Sequence, residues 1–520
     1  MKTQRRTLER KAYVKNGALR LFFAVVAIVF QVGWLFLLGN TLSQRATWIS
    51  TALSALALFV AIAVYGRRQH AAMKLTWMML IIAFPLLGVL LYLLIGLSGG
   101  SRAMRRRFSR MAVELAPYVS SDEEAQWALA GMHPRAAGIA HYLSNTGGFP
   151  LFSGTDVRFH ADATEGLEDL KRDLAQAERY IFMEYYAIED SEAFAGVREI
   201  LKERARAGVE VRLFYDDIGS IFFINWDFIR RMEEDGIRCR VFNPMLPVAN
   251  IFMNNRDHRK ITVIDGRVGY TGGYNLADEY FHLKEPYGRW KDTGVRLEGP
   301  AVATLTRLFL TMWNAIRDGD EDNGQLDAYF PKVPAIDAEG FVQPYGDGPL
   351  GDKDLGEDIY LSVINGARKT CWFTTPYLVI TDEMAHSLRL AAGRGVDVRI
   401  VTPGIPDKKL TYRVTRSNYR RLARAGVRLY EYTPGFCHAK QCVADGEVAV
   451  CGTINLDYRS LSNNFEDAVL LIGCPAIAEI QKDFLTLFPE CREMTETALE
   501  PRKFRTRLYE TALRLIAPLL

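Results

Sequence analysis

The sequence contains no pair of cysteines in CxxC spacing, and its seven cysteines are an odd number in a chain of 520 residues. A disulfide framework or a cysteine-based zinc site is therefore not indicated, and the composition fits a reducing compartment. We expect all seven cysteines to be small apolar fillers of strands. No set of His, Asp and Glu has metal-ligand spacing either, so we predict no metal and no other cofactor.

A large excess of charge of one sign is also lacking, since the formal net charge is only +3. The arginines are instead concentrated in the first 110 and the last 20 residues, beside apolar sequence, which favours anionic lipid headgroups as partners. The remainder has no basic face interleaved with aromatic residues, so we predict no nucleic-acid partner. The basic, amphipathic segment 502–520 fits either a helix on the bilayer or a helix that caps the last domain.

The first 110 residues contain three apolar stretches without Lys, Arg, Asp or Glu, at 21–39, 48–65 and 77–97. Each is about long enough to cross ~30 Å of hydrocarbon as a helix. We therefore predict that residues 1–110 form a multi-pass membrane region. Basic residues in the N-terminal tail, and Arg67, Arg68 and Lys74 after the second stretch, place both of these segments inside the cell.

The third apolar stretch contains Pro85 and Gly88 and is followed by five arginines, at 102, 105, 106, 107 and 110. A complete third crossing would put these arginines, and the rest of the chain, outside the cell. We therefore predict that the stretch is re-entrant or interfacial, and that the remainder is cytoplasmic at a bacterial inner membrane. A plain kinked third span is the alternative.

From about residue 150, short β-type runs alternate with amphipathic helices, which predicts an α/β fold. The two halves also match each other, since GVEVR at 208–212 recurs as GVDVR at 395–399. We predict two homologous α/β lobes with pseudo-two-fold symmetry, preceded by the membrane helices. The first lobe would cover 111–320 and the second 356–520, with a connection at 321–355.

One chemical pattern occurs in both halves, HxKxxxxD followed by GxxN. With Lys and Asp each near ~5% of residues, one chance HxKxxxxD would appear about once in fifty such chains. Two copies with the same spacing are therefore not accidental. The first copy consists of His258, Lys260, Asp265 and Asn275, and the second of His438, Lys440, Asp445 and Asn455.

Each half of this pattern presents an imidazole and an ammonium group on one face of a strand. Apposed halves would form a pocket with two of each and two Asn amides, which suits a phosphodiester. One imidazole would attack phosphorus while the other protonates the departing oxygen. Asp265 and Asp445 are counted with this catalytic set, but their Asp-Gly turns favour a structural or supporting role.

Reactive imidazoles need partners that fix their tautomer. Asp292 and Glu466 lie at similar distances downstream of the two motifs, each before a short β-like run. They are candidates for this role, with ordinary surface carboxylates as the alternative.

The doubled motif resembles the phospholipase D superfamily, and the sequence around it is similar to bacterial cardiolipin synthases. The similarity includes His258-Arg259-Lys260-Ile261, Asn464-Phe465-Glu466 and the apolar stretch from Trp77 to Gly96. Two features depart from the family: Gly273 and Thr453 stand where Ser is common, and the first apolar stretch is additional.

The resemblance implies a metal-independent transfer in two steps between membrane phospholipids. A histidine would attack phosphatidylglycerol to form a phosphatidyl-histidine, and a second phosphatidylglycerol would accept the group to give cardiolipin. By analogy, His258 is the expected nucleophile and His438 the acid and base, with Asp292 and Glu466 orienting the rings. Phospholipase D hydrolysis or another headgroup exchange is the alternative, because the sequence does not identify the acceptor.

Overall fold

The computed structural model describes residues 47–96, 102–120, 122–225, 227–244, 255–317, 322, 324–351, 353–501 and 503–519, together with scattered positions in 21–41. The N-terminal tail and much of the predicted apolar segment 21–39 therefore lie outside the described residues.

Within the described residues, eighteen strands form the sheets. In the first half they are β1 Asp156–His160, β2 Tyr180–Tyr185, β3 Glu210–Asp216, β4 Arg238–Phe242, β5 Arg256–Asp257, β6 Lys260–Ile264, β7 Val268–Gly272, β8 Arg289–Lys291 and β9 Gly294–Glu298. In the second half they are β10 Phe341–Asp347, β11 Thr370–Thr374, β12 Asp397–Pro403, β13 Arg428–Tyr432, β14 Gly435–Cys437, β15 Gln441–Ala444, β16 Val448–Gly452, β17 Asn464–Ile472 and β18 Cys491–Glu493.

The α-helices surround these sheets and also build the N-terminal region. The first ten with described bounds are α1 Thr47–Tyr65, α2 Ala71–Ala83, α3 Pro85–Leu91, α4 Arg102–Glu114, α5 Glu123–Met132, α6 Pro134–Tyr142, α7 Ala163–Ala175, α8 Glu192–Arg206, α9 Asp217–Ser220 and α10 Phe228–Glu234. The remaining ones are α11 Val302–Ala315, α12 Leu355–Gly366, α13 Asp382–Gly393, α14 Lys409–Ala423, α15 Tyr458–Ser462, α16 Ala476–Leu487, α17 Thr495–Leu499 and α18 Phe504–Ile516.

The two sheets have the same strand order. The first runs β1-β9-β7-β6-β2-β3-β4, and the second runs β10-β17-β16-β15-β11-β12-β13 with β18 added at its end. In both sheets the parallel strands come from β-α-β units whose central strands are buried on both faces, as their continuous apolar runs require. The predicted doubled α/β fold is therefore confirmed.

Two short strands connect the lobes to each other. Strand β5 of the first lobe pairs in parallel with the start of β17 in the second lobe, and β14 of the second lobe pairs in parallel with β8 of the first. These reciprocal pairings come directly before the two His-x-Lys motifs, so they fix how the motifs face each other.

The predicted lobe boundaries differ from the structure in two places. Strand β10, inside the predicted connection 321–355, pairs along its whole length with β17 and belongs to the second sheet. The helical segment around 123–149, assigned from sequence to the first lobe, contacts the second: His133 pairs with Glu447, and Gln343 donates to the carbonyl of Ala140. The segment lies on the second lobe because the apolar face of α6 is buried against α12 of that lobe.

The third apolar stretch is folded back on itself. Helix α2 ends at Ala83 and is capped by Phe84, and Pro85 begins α3, which packs along α2. The rings of Trp77 and Tyr92 lie 5.3 Å apart, although fifteen residues of continuous helix would separate them by about 22 Å. Gly88 permits this approach, because a Cβ there would lie 2.6 Å from the Ile81 Cα. The stretch is a helical hairpin, the shape that a re-entrant segment requires.

The C-terminal helix α18 joins the hairpin to the second lobe. It packs on α14, and the hydroxyl of Thr76 in α2 donates to the Leu515 carbonyl at 2.7 Å. Its outer face leaves Phe504 and Leu508 exposed. The helix thus caps the second lobe, as one interpretation of 502–520 expects, and the position on the bilayer stays a prediction.

Candidate active site

Each motif histidine is held by a carboxylate from the other lobe. The Nδ1 atom of His258 lies 2.8 Å from Oε2 of Glu466, and Nδ1 of His438 lies 2.6 Å from Oδ2 of Asp292. All four side chains are buried. If Nδ1–H donates to the carboxylate, the lone pair of each ring is on Nε2.

The backbone reinforces this crossed arrangement. The N–H of His258 donates to the carbonyl of Phe465 at 2.9 Å, and the N–H of His438 donates to the carbonyl of Lys291 at 2.7 Å. Each carboxylate is thus the next residue along the strand that anchors its histidine. The β5–β17 and β14–β8 pairings therefore determine which acid reaches which ring.

Both lysines fold back beside the histidine of their own motif. The Nζ atom of Lys260 donates to the carbonyl of His258 at 2.5 Å, and that of Lys440 lies 2.9 Å from Nε2 of His438. Burial lowers the pKa of Lys260 to about 8 and that of Lys440 to about 7. Both ammonium groups are therefore partly desolvated and would gain from an anionic ligand.

The two histidines are neutral at neutral pH. Burial holds the pKa of His258 well below its usual range, and Lys260 together with Lys440 from the other lobe lowers it further. Burial and Lys440 lower the pKa of His438 to about 3, against the opposing effect of Asp292. Because Lys440 affects both rings, the two motifs share one electrostatic environment.

The two carboxylates differ in charge state. Burial raises the pKa of Glu466 to about 7, although Lys260 and the hydroxyl of Thr453 favour its ionised form. The pKa of Asp292 is lowered, because Lys440 and His438 outweigh the effect of its burial. Asp292 is therefore ionised at neutral pH, whereas Glu466 titrates near pH 7.

The two departures from the family pattern, Gly273 and Thr453, lie beside these carboxylates. A Cβ at Gly273 would lie 2.0 Å from Oδ1 of Asp292, so a larger residue would displace this carboxylate. On the other side, the Oγ1 of Thr453 donates a short hydrogen bond to Oε2 of Glu466. Both positions thus adapt the site to its own carboxylate.

The two asparagines are buried but occupy different situations. Asn275 accepts from the Ala187 N–H at 3.0 Å and donates to the hydroxyl of Tyr280 at 2.7 Å, so its amide is already engaged within the protein. Among the described residues, Oδ1 of Asn455 has no hydrogen-bond partner. The predicted symmetry of the two amides is therefore not seen.

The motif aspartates lie outside the pocket, which corrects their inclusion in the catalytic set. Asp265 accepts from three consecutive N–H groups, at 178, 179 and 180, and Asp445 from those at 368, 369 and 370. Each follows the strand that leads away from its histidine, roughly 16 Å of extended chain. Both have positive φ, 53° and 55°, so the Asp-Gly interpretation of a turn is correct.

Aromatic rings, which no sequence motif had indicated, surround the histidines. Tyr280, Trp290 and Phe436 have centroids within 5.4 to 5.7 Å of the His438 ring, and Tyr186 lies 5.0 Å from that of His258. The available signal was spacing: Trp290 precedes Asp292 by two residues, and Phe436 precedes His438 by two.

A potential metal-ligand group exists away from these motifs. Within the described ranges, His70, Glu357 and Glu383 are the residues whose donor atoms lie within 4.8 Å of one another. The group contains none of the motif residues, so the prediction of metal-independent chemistry stays a prediction.

Comparisons with known proteins agree with this geometry. The family model described as "Cardiolipin synthase, PLD-like domain" matches residues 170–313 and 360–488, and "Phospholipase_D-nuclease N-terminal" matches 52–96. The apolar segment 21–39 lies outside both matches. Among solved structures, phosphatidylserine synthase from Haemophilus influenzae has the same fold, with a TM-score of 0.56 and 15% identity over 74% of this chain and 99% of its own.

Curated relatives extend over nearly the whole chain. A cardiolipin synthase from Halalkalibacterium halodurans is 32% identical and covers 91% of this chain and 95% of its own. A cardiolipin synthase from Geobacillus kaustophilus is 32% identical and covers 95% of this chain and 99% of its own. An uncharacterized protein from Streptococcus mutans is 39% identical and covers 86% of this chain and 96% of its own. Among the described residues, Trp48–Tyr65 is the one helix long and apolar enough to cross a membrane. The chain belongs to the cardiolipin synthase family of the phospholipase D superfamily and is membrane-associated.

Proposed function

We propose that this chain is a cardiolipin synthase that transfers a phosphatidyl group from one phosphatidylglycerol to another, releasing glycerol. The observation that carries the proposal is the reciprocal pairing of His258 with Glu466 and of His438 with Asp292. Two such dyads beside two lysines suit one phosphodiester better than two independent sites.

In the first step, Nε2 of His258 attacks phosphorus and forms a P–N bond, while the P–O bond to glycerol breaks. His438, protonated once the anionic phosphate offsets the lysine charges, donates its proton to the departing oxygen. In the second step, His438 takes the proton from a hydroxyl of the second phosphatidylglycerol, whose oxygen forms a new P–O bond to phosphorus as the P–N bond to His258 breaks. The ionised Asp292 supports this order, because it stabilises the protonated form of His438.

The lysines supply the positive charge that the reaction needs. Lys260 and Lys440 would hold the non-bridging oxygens as negative charge shifts during transfer. Asn455, whose Oδ1 is unpaired among the described groups, is the amide left to orient a substrate hydroxyl.

The test is product analysis with purified protein and phosphatidylglycerol. Cardiolipin with glycerol supports the proposal, whereas phosphatidic acid alone would identify a hydrolase. Replacement of either His258 or His438 by Ala should abolish turnover. With acyl-labelled substrate, we expect covalent label to accumulate on His438→Ala and not on His258→Ala, and the opposite result would reverse the two roles.

We also propose that the membrane region is multi-pass and that the catalytic lobes are cytoplasmic. The guanidinium of Arg67, before the hairpin, lies 5.4 Å from the ring centroid of Tyr92, near its end. Both ends of the hairpin are therefore on one side, together with basic residues that favour the cytoplasm. A reporter fused after Arg110 should give a cytoplasmic signal, and an external signal would contradict this topology.

A further inference from the structure

A cavity of about 430 Å³ lies behind the strand that carries the first motif. Its walls include Phe108 and Ala112 of α4, Arg307 and Leu308 of α11, and Phe465 of β17. The motif histidines and lysines do not line it. The cavity is therefore separate from the proposed catalytic pocket, although Phe465 is the neighbour of Glu466.

Arg307 is the unusual residue of this cavity. Its side chain is only 9% exposed, and its guanidinium lies over the ring of Phe149, 4.7 Å from the centroid. Within the described part of the chain, no carboxylate lies within ion-pair distance of it and no acceptor receives its N–H groups. Burial lowers its pKa to about 10, so it remains charged at neutral pH. A buried charge without a counter-ion is unfavourable, and a bound anion would offset this cost.

The other charged groups at the cavity do not supply this counter-ion. Arg259 is already neutralised by Glu184 at 2.5 Å and Asp257 at 3.1 Å. The carboxyl of Asp347 also lines the wall, but its oxygens accept from the N–H groups of Gly348 at 2.8 Å and Gly356 at 2.7 Å, and burial raises its pKa to about 8. Lys353, at the rim, donates to the Thr146 carbonyl at 2.7 Å. The cavity is thus positively charged overall.

The rest of the lining is mostly apolar, contributed by Phe108, Phe149, Leu308, Leu350, Leu355 and Phe465. Pockets of this size with an apolar wall and one fixed charge are typical of sites for amphiphilic ligands. Helix α4, which forms one wall, is also the first described α-helix after the hairpin in the chain.

We propose that this cavity is a second lipid site, which binds an anionic amphiphile with its phosphate or carboxylate headgroup on Arg307 and its acyl chain against Phe108, Leu308 and Phe465. The inference goes beyond the proposed function, because it concerns a ligand that is not transformed. Its failure would leave the product assay unaffected, since binding here needs no turnover.

The experiment measures equilibrium binding of radiolabelled dodecyl phosphate to the full chain in an uncharged maltoside detergent. We expect Arg307→Met to lose one class of site, with affinity reduced at least tenfold, whereas the exposed Arg230→Met control keeps it. Ala112→Trp, which fills the cavity from α4, should give the same loss with Arg307 intact. Unchanged binding in both Arg307→Met and Ala112→Trp would overturn the proposal.

Three further probes define the ligand. If unlabelled laurate displaces the radiolabelled dodecyl phosphate, the site accepts a fatty acid. If only unlabelled dodecyl phosphate displaces it, the site is specific for a phosphate-headed lipid. Dodecanol and inorganic phosphate should compete poorly, because each lacks half of the recognised chemistry. Equal competition by dodecanol would show that Arg307 is not used, which contradicts the proposal.

Thermal unfolding without ligand separates binding from a structural role. Because Arg307→Met removes an unpaired buried charge, its melting temperature should equal or exceed that of the wild type. Dodecyl phosphate should raise the melting temperature of the wild type and not that of the variant. A ligand-free variant that melts several degrees lower would make Arg307 a structural residue and refute the site.

Discussion

Glu466 of the second lobe lies 2.8 Å from the Nδ1 of His258 in the first, although 208 residues separate them in the chain. Asp292 and His438 form the converse pair. Each half of the site is therefore incomplete without the other lobe, and the activity should depend on contacts between the lobes as much as on the motifs themselves.

The first prediction concerns these carboxylates. Glu466→Gln and Asp292→Asn should each lower kcat by roughly 10²- to 10⁴-fold, because an amide no longer fixes the tautomer or stabilises the protonated ring. Steady-state cardiolipin formation provides the measurement. The matched control is Glu447→Gln, which removes the carboxylate partner of His133 outside the pocket and should leave kcat unchanged. Activity near wild type in both site variants would contradict the crossed dyads.

The second prediction concerns Lys440 and pH. Its pKa is about 7 in the folded protein and 10.5 ordinarily, so above pH 7 the unfolded chain binds more protons and stability rises with pH. Lys440→Met should lack this pH-dependent contribution to stability. We expect the variant to be as stable as the wild type or more so at pH 7, with this advantage shrinking towards pH 10.

Lys440→Met should nevertheless be less active than the wild type. Loss of one ammonium that binds the phosphate should lower kcat by about 10²- to 10³-fold. Thermal melts at several pH values and a turnover assay check both parts. A variant that is much less stable at pH 7 and retains activity would show that Lys440 is structural.

The third prediction concerns Gly273. In Gly273→Ala the new Cβ would lie 2.0 Å from Oδ1 of Asp292 and push the carboxylate away from His438. A displacement of this kind should reduce kcat about 10²-fold. Gly131→Ala is the control, because the structure leaves open space around that position in α5. Equal activity of the two variants would argue against close packing at Asp292.

The fourth prediction concerns the motif aspartates. Asp265→Ala removes three hydrogen bonds from backbone N–H groups and should lower the free energy of unfolding by about 1–3 kcal/mol. Turnover per folded molecule should stay within a few fold, because the side chain does not reach the pocket. Chemical denaturation together with active-enzyme titration tests both statements. Loss of turnover at unchanged stability would return Asp265 to the catalytic machinery.

Much of this organisation was contained in the sequence itself. The spacing of His258, Lys260 and their second copies is local, so it identified the chemistry and the doubled fold without coordinates. Pro85 and Gly88 likewise predicted a break in the third apolar stretch, because proline removes a helical hydrogen bond wherever it stands. The Asp-Gly turns also follow from neighbouring residues alone.

Only the tertiary structure decided which groups meet. Asp292 and Glu466 were candidates from spacing. That each of them pairs with the histidine of the other lobe depends on the β5–β17 and β14–β8 pairings, which join strands far apart in sequence. The same holds for the aromatic rings around His438, for the engaged amide of Asn275 and for the unpaired guanidinium of Arg307. Sequence spacing determines the direction and periodicity of side chains along one element, whereas burial, charge and partner depend on how distant elements pack.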